Sequence, residues 1–176
     1  GIMGCGKTAV GKRLAMLLDL KFVDADDEIE KAADMSIEEI FQSLGEAHFR
    51  DGERRVIARL LASGPQVLAT GGGAFMSPQT RERIKDAGIS IWLKAELPVL
   101  MKRVSRRDNR PLLKTANPEA RMRELMEQRY PVYALADVTV ESREVAHDVI
   151  AAEIMHRLAE GPLAEAGQHA SEGPQR

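Results

Sequence analysis

The sequence predicts an α/β fold in which helices cover both faces of a parallel β-sheet, giving three layers. Short runs of β-type residues alternate with helical patterns along most of the chain, an order typical of parallel strands joined by right-handed crossovers. Residues 1–8 match a loop that normally joins a buried strand to a helix. The chain has 176 residues, of which 44% are apolar, and this is enough for one domain with a hydrophobic core.

Residues 1–8, Gly-Ile-Met-Gly-Cys-Gly-Lys-Thr, have the G-x-x-x-x-G-K-[ST] spacing of the phosphate-binding loop, or P-loop. Glycines let backbone N–H groups turn toward phosphate oxygens, while Lys7 can reach the terminal phosphates and the Thr8 hydroxyl can bind Mg²⁺. A flexible glycine turn is the alternative, but the amphipathic helix that follows favours the P-loop. Because the sequence begins at the loop's first glycine, we expect the first strand to be missing through truncation, or else absent from the protein.

Composition limits the classes of partner. With 25 Lys and Arg against 27 Asp and Glu, the net charge of −2 gives no general attraction to nucleic acid or to a membrane. The single cysteine, Cys5, excludes an internal disulfide and fits a reducing compartment. No apolar run approaches the roughly 18 residues of a membrane helix, and no signal-peptide pattern is present. We therefore expect a cytoplasmic protein, and the spacing of its histidines predicts no metal site.

The first predicted elements are a helix over residues 7–19 and a short strand over 21–23. The helix is expected to pack one apolar face on the sheet, through Val10, Leu14, Leu17 and Leu18.

Asp24 and Asp26 follow this strand, and the sequence allows two interpretations of them. Ligands bind beyond the carboxyl ends of strands in an open parallel sheet, which would place both carboxylates beside the P-loop. Acidic residues also suit the positive start of a helix. Both interpretations remain open on the sequence alone.

The next elements are two consecutive helices and a strand that ends in three glycines. Ser36 and Glu39 form a capping box that starts a helix, which Gly45 ends. A second helix over 46–63 has Arg50 near its start, where a cation opposes the helix dipole. The strand over 66–70 runs into the glycines at 71–73, which permit positive φ and a close approach of a ligand to the backbone.

The rest of the chain continues the alternation. Ser77 and Pro78 start a helix that runs to Ala87. The further predicted elements are a strand over 89–93, a helix over 97–104, a helix over 117–129 that ends before Pro131, a strand over 137–141 and a helix over 145–158. The domain is expected to span residues 1–160, and residues 161–176 lack a periodic apolar face and are predicted to be disordered.

Residues 105–117 are predicted to form a lid. Long loops in compact domains are usually lids or disordered links, and this one carries several basic residues. These are Arg106, Arg107, Arg110 and Lys114. A solvated basic turn is the alternative, but a P-loop implies a nucleotide, over which closing cations would exclude water and stabilise developing charge.

Together these features indicate phosphoryl transfer to a small molecule, or hydrolysis used as a conformational switch. Transfer needs a carboxylate near the attacking hydroxyl, and Asp26 is the candidate. An anionic acceptor would need arginines, because an Arg fork pairs with a carboxylate through two hydrogen bonds. Arg50 and Arg129 could supply them, although spacing alone does not show that they converge.

With these motifs in order, the chain resembles the shikimate kinase family over residues 1–158. The matching segments are 1–8, 22–26 (Phe-Val-Asp-Ala-Asp), Gly45-Glu46 with Phe49, Arg50 and Glu53, 69–73 (Ala-Thr-Gly-Gly-Gly), 110–113 (Arg-Pro-Leu-Leu), and Arg129 before Pro131 and Tyr133. The P-loop marks only a large superfamily, whereas the other segments together are far more specific. The resemblance implies a P-loop, nucleoside-monophosphate-kinase-like fold and transfer of the γ-phosphate of ATP to the 3-hydroxyl of shikimate, a step of aromatic amino acid biosynthesis.

The resemblance also implies roles for individual residues. Asp24 would steady Mg²⁺ through water, together with Thr8, and Asp26 would bind the ring hydroxyls and orient or deprotonate the attacking one. Arg110 would close with the lid onto the transferring phosphate, and Glu53 would support the arginines. The residues expected to hold the ATP phosphates are Gly4, Cys5, Gly6, Lys7, Thr8 and Ala9, and those expected to hold the acceptor are Arg50, Arg129, Gly71, Gly72 and Gly73.

Two alternatives stay open beside the kinase: a nucleotide-binding relative without activity, and a kinase for another small hydroxy acid. We expect a monomer that binds neither nucleic acid nor membrane.

Overall fold

A computed structural model describes residues 1–105 and 116–161, and it confirms the predicted alternation of strands and helices. The elements are α1 (Lys7–Leu18), β1 (Lys21–Asp24), α2 (Ala25–Ala33), α3 (Ile37–Leu61), β2 (Gln66–Ala69), α4 (Pro78–Ala87), β3 (Ile91–Lys94), α5 (Leu97–Val104), α6 (Pro118–Tyr133), β4 (Val138–Glu141) and α7 (His147–Glu160), with a short 3₁₀ turn at Ala74–Met76. The predicted lid and tail lie almost wholly outside the described residues. None of the described helices has the length and apolar character needed to cross a membrane.

The strands are parallel, as predicted, and those described here form two pairs. β1 pairs with β2 from Lys21 opposite Gln66 onward, and β3 pairs with β4 from Ile91 opposite Val138 onward. A cavity of about 610 Å³ lies between β2 and β3, lined by residues of both strands. The two pairs are therefore held in one molecule by the helices packed around them.

Helix α1 connects the two halves through one buried face. Val10, Leu14 and Ala15 are buried, and α1 packs against both α7 and β2. The prediction that Leu17 faces inward is wrong, because its side chain is 54% exposed. The buried arc is rotated toward Gly11, where an added Cβ would lie 2.7 Å from the Phe22 ring, and this rotation leaves Leu17 at the margin.

Helix α3 contains the break predicted at Gly45. This residue has φ 82° and ψ 170°, a conformation outside the helical region and favoured by glycine. Ser36 caps the first part of the helix through the predicted capping box with Glu39. The second part buries Phe49 and Ile57 against the rest of the domain, and it also carries the charged residues of the site.

Helix α6 does not end before Pro131, as the sequence predicted, but continues to Tyr133. Pro131 lies in the last turn, where its missing N–H costs only one helical hydrogen bond. Tyr133 is buried, and its ring lies 5.9 Å from that of Trp92 between ring centroids. Burial of this aromatic residue offsets the local cost of proline.

Candidate active site

The P-loop is shaped by two glycines in left-handed backbone conformations and fixed by buried apolar neighbours. Gly4 has φ 83° and Gly6 has φ 94°, values that other residues adopt only with strain. Ile2 and Cys5 are fully buried and anchor the loop to the core. Lys7 donates from Nζ to the backbone carbonyls of Gly1, at 2.9 Å, and Ile2, at 3.2 Å, so its ammonium group lies across the loop.

Thr8 and Asp24 are brought together beside the loop. The Thr8 hydroxyl donates to Asp24 Oδ2 at 3.1 Å. Asp24 Oδ1 accepts a hydrogen bond from the backbone N–H of Asp26 and caps α2. Asp24 therefore satisfies both interpretations of the sequence, since it ends β1 and also starts the next helix. Ala9 lies in the first turn of α1.

The Thr8 hydroxyl and the Asp24 carboxylate are hard oxygen ligands in contact with each other. Mg²⁺ bound with a nucleotide is held by one or two such protein groups, together with phosphate oxygens and water. The pair therefore fits a Mg²⁺ site. Within residues 1–105 and 116–161 no group of three His, Cys, Asp or Glu side chains forms a metal cluster. An ion here would therefore take its remaining ligands from bound phosphate and solvent.

The three glycines after β2 make room for charged side chains. A Cβ added to Gly71 would lie 2.9 Å from Asp26 Oδ1, and one added to Gly73 would lie 2.6 Å from Arg50 Cζ. The expectation that these glycines serve positive φ is wrong, because residues 71–73 are not among those with positive φ. Their missing side chains leave space that the neighbouring carboxylate and guanidinium occupy.

The middle glycine brings the third predicted charge into the same place. A Cβ on Gly72 would lie 3.1 Å from Arg129 Nη1 and 3.3 Å from the Gly1 carbonyl, which is also an acceptor of Lys7. The Tyr133 hydroxyl donates to the carbonyl of Gly72 and fixes that backbone. Arg129 and the Gly1 carbonyl that Lys7 binds therefore both lie next to Gly72.

A network of ion pairs orients Arg50. Its Nη1 donates to Glu53 Oε2 at 2.8 Å, and its Nη2 lies 3.3 Å from Glu46 Oε1. Glu53 is buried, and burial of a carboxylate is tolerable only with such a partner. The pair leaves the guanidinium directed at the glycine run rather than free to rotate.

Asp26 is the titrating group of the site. Burial, with smaller contributions from the nearby carboxylates of Asp24 and Glu53, raises its pKa to about 6, and Lys7 opposes that rise. A carboxyl with this pKa is a stronger base than an exposed aspartate and is still mostly ionised at neutral pH. The site thus holds one proton acceptor beside several cations.

Two residues that contact the P-loop were missed by the sequence interpretation. Arg103 donates to the Gly4 carbonyl, and the Ser142 hydroxyl donates to the Cys5 carbonyl. Ser142 directly follows β4, so a polar residue at the carboxyl end of a strand was the available signal. Nothing in the sequence marks Arg103. Arg110 lies outside the described residues, and its position is not part of this geometry.

Residues 3–159 match the family model of shikimate kinase. A shikimate kinase of Mesorhizobium japonicum is 56% identical over 158 residues, which cover 90% of this chain and 78% of that protein. A shikimate kinase of Bradyrhizobium diazoefficiens is 58% identical over 158 residues, covering 90% of this chain and 76% of the relative.

Solved structures agree. The shikimate kinase from Acinetobacter baumannii in complex with shikimate superimposes with a TM-score of 0.86 at 39% identity, covering 91% of this chain and 90% of that one. The shikimate kinase from Bacteroides thetaiotaomicron superimposes with a TM-score of 0.82 at 29% identity, covering 91% of this chain and 93% of that one. The predicted P-loop kinase fold is confirmed by these neighbours. The chain therefore belongs to the shikimate kinase family.

Proposed function

We propose that this chain is an ATP-dependent kinase that transfers the γ-phosphate of ATP to the 3-hydroxyl of shikimate, giving shikimate 3-phosphate and ADP. The observation that carries the proposal is the convergence of Asp26, Arg50 and Arg129 on the glycine run at 71–73, beside Lys7. A protein that only bound nucleotide would need the P-loop but not these three residues. Family membership agrees with the same assignment.

The donor side is assigned to the P-loop. Backbone N–H groups of residues 4–9, in the loop and the first turn of α1, would bind the phosphates with the positive end of the helix dipole behind them. Lys7 would neutralise the β- and γ-phosphates after leaving its present carbonyl acceptors. Thr8 and Asp24 would hold Mg²⁺, Asp24 through water, and the ion would offset charge on the phosphates. We assign Arg110 to the transferring phosphate on the resemblance alone.

The acceptor side is assigned to the charged side chains over the glycine run. Arg50 and Arg129 would bind the shikimate carboxylate, because guanidinium groups pair with carboxylates through paired hydrogen bonds. A backbone N–H of the run Gly71, Gly72 and Gly73 would contact the same molecule, next to the charged side chains that lie over these glycines. Glu53 keeps Arg50 in place.

Asp26 would orient the attacking hydroxyl and take its proton. The 3-hydroxyl oxygen of shikimate would form a new bond to the γ-phosphorus as the bond between that phosphorus and the β,γ-bridging oxygen breaks. The hydroxyl proton would move to the Asp26 carboxylate before its release to water. Phosphoryl transfer depends chiefly on positioning and on charge stabilisation, so Asp26 must stay close to both the acceptor and Lys7. The cytoplasmic location and the monomeric state remain predictions from the sequence.

A coupled assay for ADP formation tests the function directly. Turnover should appear with ATP, Mg²⁺ and shikimate together and should be nearly absent without shikimate. A panel of other small hydroxy acids should react much more slowly. ATP binding without shikimate-dependent turnover would support the inactive relative, and faster turnover of a different hydroxy acid would replace shikimate as the substrate.

A further inference from the structure

Ser142 lies behind the P-loop, and its side chain is almost completely buried. It is 1% exposed and directly follows β4. Its hydroxyl donates to the backbone carbonyl of Cys5 at 2.7 Å and accepts from Arg103 Nη1 at 2.8 Å. Its backbone N–H donates to the Lys94 carbonyl at the end of β3. Ser142 is therefore fixed by β3 and β4, and its hydroxyl in turn fixes the Cys5 carbonyl of the P-loop.

Arg103 completes this support from the last turn of α5. The same guanidinium donates to the Gly4 carbonyl at 3.3 Å and to the Arg143 carbonyl at 2.7 Å. The carbonyls of two successive loop residues, Gly4 and Cys5, are thus both bonded on the side of the loop that faces the core. The donors come from elements far away in sequence, so the support is tertiary and not part of the P-loop motif.

Holding the Cys5 carbonyl orients the next N–H group. In a planar trans peptide the C=O and N–H point in opposite directions, so anchoring the Cys5 oxygen toward Ser142 turns the Gly6 N–H to the other side. Gly6 has φ 94°, and a glycine can leave this conformation for several others at little energetic cost. Without the hydroxyl, this peptide could rotate, and the loop would lose a preorganised donor.

We propose that Ser142 is a positioning residue for nucleotide binding, which holds the peptide between Cys5 and Gly6 so that its N–H faces the phosphates. The inference rests on the proposed function for its kinetic consequences, but the binding of MgADP can be measured without turnover. The proposed role of Ser142 is limited to the side of the site that binds the nucleotide. Shikimate is assigned to residues that Ser142 does not contact.

The test compares Ser142→Ala, Ser142→Thr and a control, Ser63→Ala, in titration calorimetry and steady-state kinetics. Ser63 is exposed, and its hydroxyl donates to the Arg59 carbonyl in the last turn of α3. Ser142→Ala should weaken MgADP binding and raise the KM for ATP by about tenfold, the size expected for a lost buried hydrogen bond. The KM for shikimate should stay within about twofold of wild type. Ser142→Thr keeps a hydroxyl and should restore nucleotide binding, and Ser63→Ala should match wild type.

Unchanged MgADP binding in Ser142→Ala would overturn the proposal, as would failure of threonine to restore it. Equal weakening of MgADP and shikimate would also overturn it, since that pattern indicates general disruption. If the alanine variant does not fold, Ser142→Cys keeps the volume but has a weaker donor and should shift MgADP affinity in the same direction. A wild-type protein that binds MgADP but does not phosphorylate shikimate would refute the proposed function and leave this inference testable.

Discussion

The proposed donor and acceptor halves of the site are built in different ways. The donor half is one continuous loop, in which Gly4 and Gly6 turn the backbone and Lys7 and Thr8 follow at once. The acceptor half consists of side chains from three helices, with Asp26 on α2, Arg50 on α3 and Arg129 on α6, which meet over glycines that follow β2. One half depends on local backbone geometry and the other on tertiary packing.

This difference teaches where specificity lies. Backbone N–H groups and a helix N-terminus bind phosphate in any nucleotide, so the donor half fixes the class of reaction. We expect the positions of the charges over the glycine run to determine which acceptor can be held. The two halves should therefore be separable by mutation. A variant that changes one half should leave ligand binding in the other half as its internal reference.

The largest effect is expected at Asp26. Replacing Asp26 by Asn removes the proton acceptor and should lower kcat by about 10²- to 10⁴-fold, while MgADP affinity changes little. The melting temperature at pH 7 should not fall, because burial already disfavours the charged form of Asp26 and asparagine is neutral. Asp27→Asn, on the exposed side of α2, is the matched control and should retain activity. Full activity in Asp26→Asn would remove this residue from the mechanism.

A smaller loss is expected at Arg50. Its replacement by alanine removes charge-assisted hydrogen bonds to the acceptor and should lower kcat/KM for shikimate by about 10- to 100-fold. The KM for ATP should be nearly constant. Arg54, four residues later on α3, pairs with Asp51 near the surface, so Arg54→Ala should match wild type in the same assay. Similar losses in both variants would point to damage of the helix and not of the site.

The pH dependence should show Asp26 as the group that titrates in the free enzyme. Its carboxylate form accepts the proton, and its pKa of about 6 lies above the ordinary value of 3.8. Activity therefore requires deprotonation, and kcat/KM for shikimate should fall about tenfold for each unit below pH 6. MgADP affinity should vary less over this range. A profile that stays flat down to pH 4.5 would contradict this assignment of the base.

The sequence was sufficient for the P-loop itself because the residues of its motif are adjacent, whereas the distant residues that support the loop, Arg103 and Ser142, were missed. The motif at residues 1–8, followed by an amphipathic helix, predicted the loop, and the structure has α1 starting at Lys7. The same locality explains the break at Gly45 and the cap at Ser36, which depend on one or a few residues. In these three places the signal was local, and the prediction was confirmed.

The acceptor half could not be predicted from spacing, because its residues are far apart in the chain. Arg50 and Arg129 were candidates from the sequence, but their spacing did not show that they converge, and only the folded chain brings them to residues 71–73. Positive φ at the glycines was a wrong prediction, since their missing side chains instead leave space for Asp26 and Arg50. The close approach of a ligand to their backbone stays a prediction. The extension of α6 past Pro131 depends on burial of Tyr133, a tertiary effect that overrides local propensity.

The most direct test is a crossed titration of shikimate and MgADP on two variants, Lys7→Ala and Arg129→Ala. Lys7→Ala should weaken MgADP by about 10-fold or more and leave shikimate nearly unchanged. Arg129→Ala should do the reverse, because its guanidinium lies at Gly72 on the acceptor side. A variant that weakened both ligands by the same factor, or neither, would contradict a site divided into a loop for the phosphates and a charged pocket for the acceptor.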